Sequence, residues 1–187
     1  MAMSVRDYFR ASISNMLAME TDVKQMNQDL RGEVHDHRLM DVLLHHAPRN
    51  DTQINNLHQI RDRIGGQAPE EESTWSRWAK QLGMGGRESG FAVTQALMGI
   101  HKDLVDKEPP ANLVDLHDAF LTRDMEHLAV SHYRSLVSLA AALGDDFSRN
   151  LLQQNLDLAQ QTLDELEYAM PSLVGDLARE PVPAGAH

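Results

Sequence analysis

From Leu113 to Leu143 the apolar residues return at helical spacing for about eight turns, uninterrupted by proline or glycine, until Gly144 ends the run. A helix of that length carries a continuous apolar stripe, and other helices lying alongside are the simplest cover for it. The rest of the chain reads the same way. Aromatic residues are only 5% of the 187 and strand-favouring residues are scarce, whereas Leu, Met, Ala and Gln are abundant.

The first helix is predicted over residues 5 to 31. Ser4 with Asp7 three positions on resembles a capped start, and Tyr8, Ile13, Met16, Val23 and Leu30 keep the period until Gly32. A second stripe, Leu39, Leu43, Ile54, Leu57, Ile60 and Ile64, runs to Gly65-Gly66, with Pro48 kinking or dividing it. The short connection makes these two helices antiparallel neighbours. A short inserted helix follows Pro69 and the acidic Glu70 to Glu72, and the glycine-rich stretch Gly83 to Gly90 ends it. The third bundle helix is expected from Phe91 to Asp106, before Pro109-Pro110, with Asn112 and Asp115 capping the long helix after it. Asp145 or Asp146 caps a last helix running towards Met170, which Pro171 is expected to interrupt. These elements predict an all-α four-helix bundle with an extra short inserted helix. One domain spans residues 1–178, with the insert at about 67–90, and a tail at 179–187 is too poor in large apolar groups to pack.

Several function classes drop out. With no cysteine, thiolate metal sites, disulfides and cysteine nucleophiles are excluded. With 17 basic and 28 acidic residues the net charge of −11 repels nucleic-acid phosphates and anionic lipids, and no localised basic patch offsets it. No apolar window reaches the ~20 residues of a membrane span, and Met1 to Tyr8 lacks the apolar stretch of a secretory signal, so a cytoplasmic protein is expected. The loop Gly83 to Gly90 follows a helix rather than a strand and lacks the Lys-Ser/Thr of a phosphate-binding loop.

Three charge-bearing residues fall on predicted core faces. Glu20 shares the stripe of Ile13, Met16 and Val23; Glu126 lies with Ala119, Ala129 and Tyr133; His46 stands one turn after Leu43. A buried carboxylate is paired, hydrogen-bonded, protonated or bound to metal. Inward ligands from different helices are how helical bundles build metal sites, and mutual pairing of Glu20 with His46 or Tyr133 satisfies the same residues equally well. Among the remaining histidines, only His127 with Asp124 has ligand spacing on one helical face, a spacing common on solvated surfaces. Trp75, Trp78 and Leu82 lie on one face of the inserted helix and form either an anchor for a partner or second subunit, or a flap folded over the bundle.

The opening Ser4-Val5-Arg6-Asp7-Tyr8-Phe9, mid-helix Glu20, His46 ahead of Ile54 and Leu57, and Glu126-His127 followed by Tyr133 resemble the bacterial ferritin-like stress-response family typified by YciF and YciE. The resemblance spans about residues 4 to 170, apart from a longer insertion around Gln67 to Gly90. It implies a ferritin-like bundle, commonly dimeric, with a carboxylate and histidine di-metal centre. The departures are specific. His46 is followed at the third position by Arg49 instead of glutamate, paired glutamates become Glu126 and Ala129, and those of the last helix fall on Leu158 and Ala159, with Asp157 adjacent. The expected protein is therefore a stress-associated ferritin-like bundle with a depleted metal centre and a structural or partner-binding role rather than an enzyme. It would form a homodimer, engage a protein partner through Trp75, Trp78 and Leu82, and leave nucleic acid and membranes alone. Glu20, His46, Glu126 and Asp157 would hold no metal, or bind iron, manganese or zinc weakly. The alternatives are a metal-binding oxidase or storage protein of the same class, with His127 as a further ligand, and a helical adaptor unrelated to ferritins.

Overall fold

The computed structural model describes residues 4–65 and 92–179, which form five helices and no strand. Helix α1 spans Val5–Leu30, α2 His37–Arg63, α3 Ala92–Val105, α4 Ala111–Ala142 and α5 Asp146–Ala178. The inserted segment with Trp75, Trp78 and Leu82, and the tail beyond Arg179, lie outside the described residues.

Local chemistry sets the helix ends. The Ser4 hydroxyl accepts the Asp7 backbone N–H at 3.1 Å while the Asp7 carboxylate takes the Ser4 N–H, closing a capping box. Asp36 caps α2 by accepting from Arg38 N and Leu39 N. Asp145 caps α5 by accepting from Ser148 N at 3.1 Å. Gly65 at φ 90° and Gly144 at φ 68° supply the left-handed residues after α2 and α4.

Neither internal proline stops its helix. Pro48 and Pro171 are exposed, so the missing N–H removes bonds to the carbonyls of Leu44 and Glu167 on the solvent side, where water replaces them. The last helix accordingly continues through Pro171 to Ala178, in contrast to the expected interruption. The expected cap of α4 also differs. Pro110 occupies the cap position without a side-chain bond, and Asp115 faces the turn between α1 and α2 instead.

Four long helices, α1, α2, α5 and α4, surround the core in that order. The α1–α2 and α4–α5 turns are short, and Arg38 reaches Asp176 while Gln53 reaches Asn155, so α2 and α5 are antiparallel. The chain thus runs up, down, then down and up, with one long crossover between α2 and α4. Helix α3 belongs to that crossover. It lies on α1 and α4 rather than standing as a bundle wall, which corrects its expected place as the third bundle helix. Ile13, Met16, Met19, Leu39, Leu43, Leu57, Ile60, Met125 and Leu152 are fully buried, each large side chain contributing about 1.5–3 kcal/mol of apolar transfer. Small Ala119, Ala129, Ala140 and Ala159 line the same core and let the helices approach. No helix among the described residues is long and apolar enough to cross a membrane.

Candidate metal centre

At mid-height the apolar core gives way to a polar layer. Glu20 from α1, His46, Asn50 and Gln53 from α2, Glu126 and Tyr133 from α4, and Asn155 from α5 are all at most 2% exposed. They are sequestered from water, so each polar atom depends on the others.

Glu20 is held on both oxygens. The Tyr133 hydroxyl donates to Oε1 at 2.6 Å and the Asn50 amide donates to Oε2 at 2.6 Å. Asn155 Nδ2 donates onward to the Tyr133 oxygen at 3.2 Å and to the Gln53 carbonyl at 3.0 Å, while Asn56 Nδ2 donates to Asn155 Oδ1 at 2.8 Å. The network therefore ties all four long helices together. His46 Nε2 lies 3.0 Å from Glu126 Oε1, a charge contact that departs from the ring N–H direction and so is weaker than an aligned hydrogen bond. His46 Nδ1 and Glu126 Oε2 have no hydrogen-bond partner.

The electrostatics follow from burial. Desolvation, reinforced by repulsion from Glu126, pushes the Glu20 carboxyl up to about 7 against the pull of Tyr133, His46 and Asn50. Burial opposes charge on His46, but the Glu126 carboxylate beside it prevails and raises the imidazole above its usual range. Burial and the Glu20 charge raise the Tyr133 phenol, which stays a donor. A protonated Glu20 with a His46–Glu126 ion pair leaves the layer without net charge.

A di-metal site in such a bundle takes about four glutamates and two histidines. The chain brings together Glu20, His46 and Glu126, which is two carboxylates and one imidazole, and amides occupy the remaining inward positions. Each Glu20 oxygen already accepts one short hydrogen bond. Among the described residues no three His, Asp or Glu side chains are arranged to hold one ion. The donor set does not fit a di-metal centre.

Asp157, expected as a fourth ligand, is exposed and accepts from Gln153 at 2.8 Å. The inward residue of α5 at this level is Asn155, two positions earlier, because the buried face of α5 runs through Leu152, Asn155, Ala159 and Thr162. His127 is exposed and 3.7 Å from Glu167, outside the centre. Arg49, at the position where the resembled family has glutamate, turns outward to Glu165 and Thr162. Asn50, Gln53, Asn56 and Asn155 carry no charge and so do not stand out among charged residues on the core faces. Their signal was present, since Asn50, Gln53 and Leu57 follow His46 at steps of three and four.

Bundle and polar layer together define a class: four-helix proteins whose core is crossed by a buried carboxylate, histidine and amide network. The chain belongs to the family described as Domain of unknown function (DUF892), whose pattern matches residues 77–178. No curated protein matches it. Among solved structures it is similar to the stress protein YciF of E. coli, with TM-score 0.73 and 14% identity over 96% of this chain and 100% of that one. It is also similar to YcfI of Rhodopseudomonas palustris, with TM-score 0.70 and 16% identity over 88% and 93% of the two chains. A third, the Xanthomonas campestris protein XCC3681, aligns with TM-score 0.60 and 14% identity over 93% and 98%. The family read from Glu20, His46, Glu126 and Tyr133 is thus borne out, as is the all-helical bundle.

Proposed function

We propose that this protein is a stress-associated, ferritin-like bundle whose metal centre has been replaced by a hydrogen-bonded protein network, and that its role is structural or partner-binding. The observation that carries this reading is the state of Glu20. Each of its oxygens accepts a 2.6 Å hydrogen bond, from Tyr133 or from Asn50, so the carboxylate is partnered by the chain's own donors. His46 acts as the internal cation for Glu126. The single long crossover is the connectivity of ferritin-like folds. YciF, similar in fold, is a stress protein, and a structural role has been suggested for YcfI. The proposed partner is a second copy of the chain or another protein, with exposed Tyr168 and Val174 of α5 as available apolar area.

The test is elemental analysis of protein purified without a histidine tag, before and after loading with iron or manganese, with light scattering on the same sample. Metal far below one equivalent and a mass near twice 21.0 kDa are expected. Near-stoichiometric metal that disappears in the Glu20→Gln, Glu126→Gln double variant would refute the replaced centre. That outcome would favour the second reading, an oxidase or metal-storage protein, for which the unpartnered His46 Nδ1 and Glu126 Oε2 are the available ligand atoms.

A further inference from the structure

A second set of buried ionisable groups lies apart from the central layer, where α3 meets the top of α1 and α4. Asp118 of α4 is completely buried, and neither carboxylate oxygen has a hydrogen-bond partner. His101 of α3 is 5% exposed and stands between two acids. Its Nε2 is hydrogen-bonded to Glu33 Oε2 at 3.1 Å, on the turn after α1, and its Nδ1 lies 2.9 Å from Asp118 Oδ1, a charge contact off the ring N–H direction. From α4, Asp115 adds negative potential at Asp118, and the His117 ring stacks on His101 with centroids 5.8 Å apart. The charged neighbours on α3 itself are Lys102 and Asp103. Thr94, whose hydroxyl points to the Met125 sulfur at 3.9 Å, is a further polar tie of α3 to the bundle.

A neutral imidazole has one N–H and one lone pair, so it cannot donate to carboxylates at both nitrogens. The docked geometry is satisfied in two ways. Either His101 is an imidazolium that donates to Glu33 and lies in charge contact with Asp118, or Asp118 is protonated beside a neutral ring that donates to Glu33. Both forms hold one proton more than an ionised Asp118 beside a neutral His101. Without that proton, a neutral ring presents its N–H to only one of the two acids and its lone pair to the other, while Asp115 and Glu33 add to the repulsion at the buried Asp118 carboxylate. We propose that His101, clasped between Asp118 and Glu33, is a proton-dependent latch that holds the crossover helix α3 on α1 and α4 and releases it as pH rises.

Burial, the leading influence, pushes the Asp118 carboxyl up to about 7 against the attraction of His101, consistent with a proton retained in the pair near neutrality. The sign follows from linkage. The docked state retains a proton on the raised Asp118 carboxyl that a solvent-exposed carboxyl gives up, so docking weakens as pH rises through about 7, by up to about tenfold per pH unit, and the loss levels off above it. Release uncovers the faces of α1 and α4 that α3 covers, including the region of Met26 and Met125.

The test is hydrogen exchange of the full chain, read by mass spectrometry between pH 5.5 and 8.5 and corrected for intrinsic exchange. Peptides from residues 92–105 are compared with peptides from α5, so that any change in global stability cancels. Protection of α3 relative to α5 is expected to fall by up to about tenfold per pH unit as pH rises through about 7 and to level off above it. In Asp118→Asn, where the amide N–H can face the Nδ1 lone pair of a neutral ring that donates from Nε2 to Glu33, the slope should flatten. A flat wild-type profile, or a slope surviving in Asp118→Asn, overturns the latch. If that variant loosens α5 as well, His101→Gln serves instead, expected to show low α3 protection without pH dependence; a slope persisting without the imidazole again overturns it.

Discussion

Replacing Glu20 by glutamine should stabilise the protein above neutral pH and change little in acid. The folded-state carboxyl is pushed from 4.5 to about 7 by burial and by Glu126. A raised carboxyl contributes stability that is fully present below its unfolded value and lost as pH rises through the folded one. At about 1.4 kcal/mol per unit, the shift corresponds to about 3 kcal/mol lost between pH 4.5 and 8. Glutamine has nearly the same volume and no charge to desolvate. Its carbonyl can accept from Tyr133, and its amide can donate to Asn50 Oδ1, which has no partner in the wild-type protein. Allowing for the weaker neutral hydrogen bonds, we expect Glu20→Gln to gain about 1–3 kcal/mol at pH 8 and nothing beyond error at pH 4.5. Urea denaturation at the two pH values reads this directly, as a higher midpoint at unchanged slope. A loss of several kcal/mol at pH 8 would refute the reasoning, because the native state would then require the ionised carboxylate and hence a compensating cation.

Two further changes probe the same physics. Tyr133→Phe removes the donor to Glu20 and the acceptor for Asn155, and should cost about 1–3 kcal/mol by urea denaturation; an effect within 0.5 kcal/mol would mean, to about that precision, that the network does not depend on the phenol. Asp115→Ala strands the backbone N–H groups of His35 and Asp36, bound at 2.9 and 2.8 Å, and should cost about 1–3 kcal/mol, with exchange quickening first in the α1–α2 turn. Loss of protection confined to the first turn of α4 would return Asp115 to the capping role its position suggested.

Long periodic stripes and strong end signals made much of the fold legible from the chain alone. Ser4 with Asp7, Asp145, Gly65 and Gly144 act within a few residues of themselves, so their chemistry is complete in the sequence. The same periodicity placed Glu20, His46 and Glu126 inward, because a residue's face on a helix is set by its spacing from apolar neighbours. What these groups do once inside is not local. Whether Glu20 meets a metal or Tyr133 and Asn50 depends on the relative height and rotation of α1, α2 and α4, and residues 113 and 30 positions apart in sequence make those contacts. Tertiary structure also decided that Asn155 rather than Asp157 faces the centre, that Pro48 and Pro171 fall on the solvent side where a lost hydrogen bond is replaced by water, and that Asp115 serves a turn 79 and 80 residues away. His101 carried no signal at all in the sequence. A lone histidine on a short helix acquires its significance only from Asp118 and Glu33, which the packing of α3 brings to its two nitrogens.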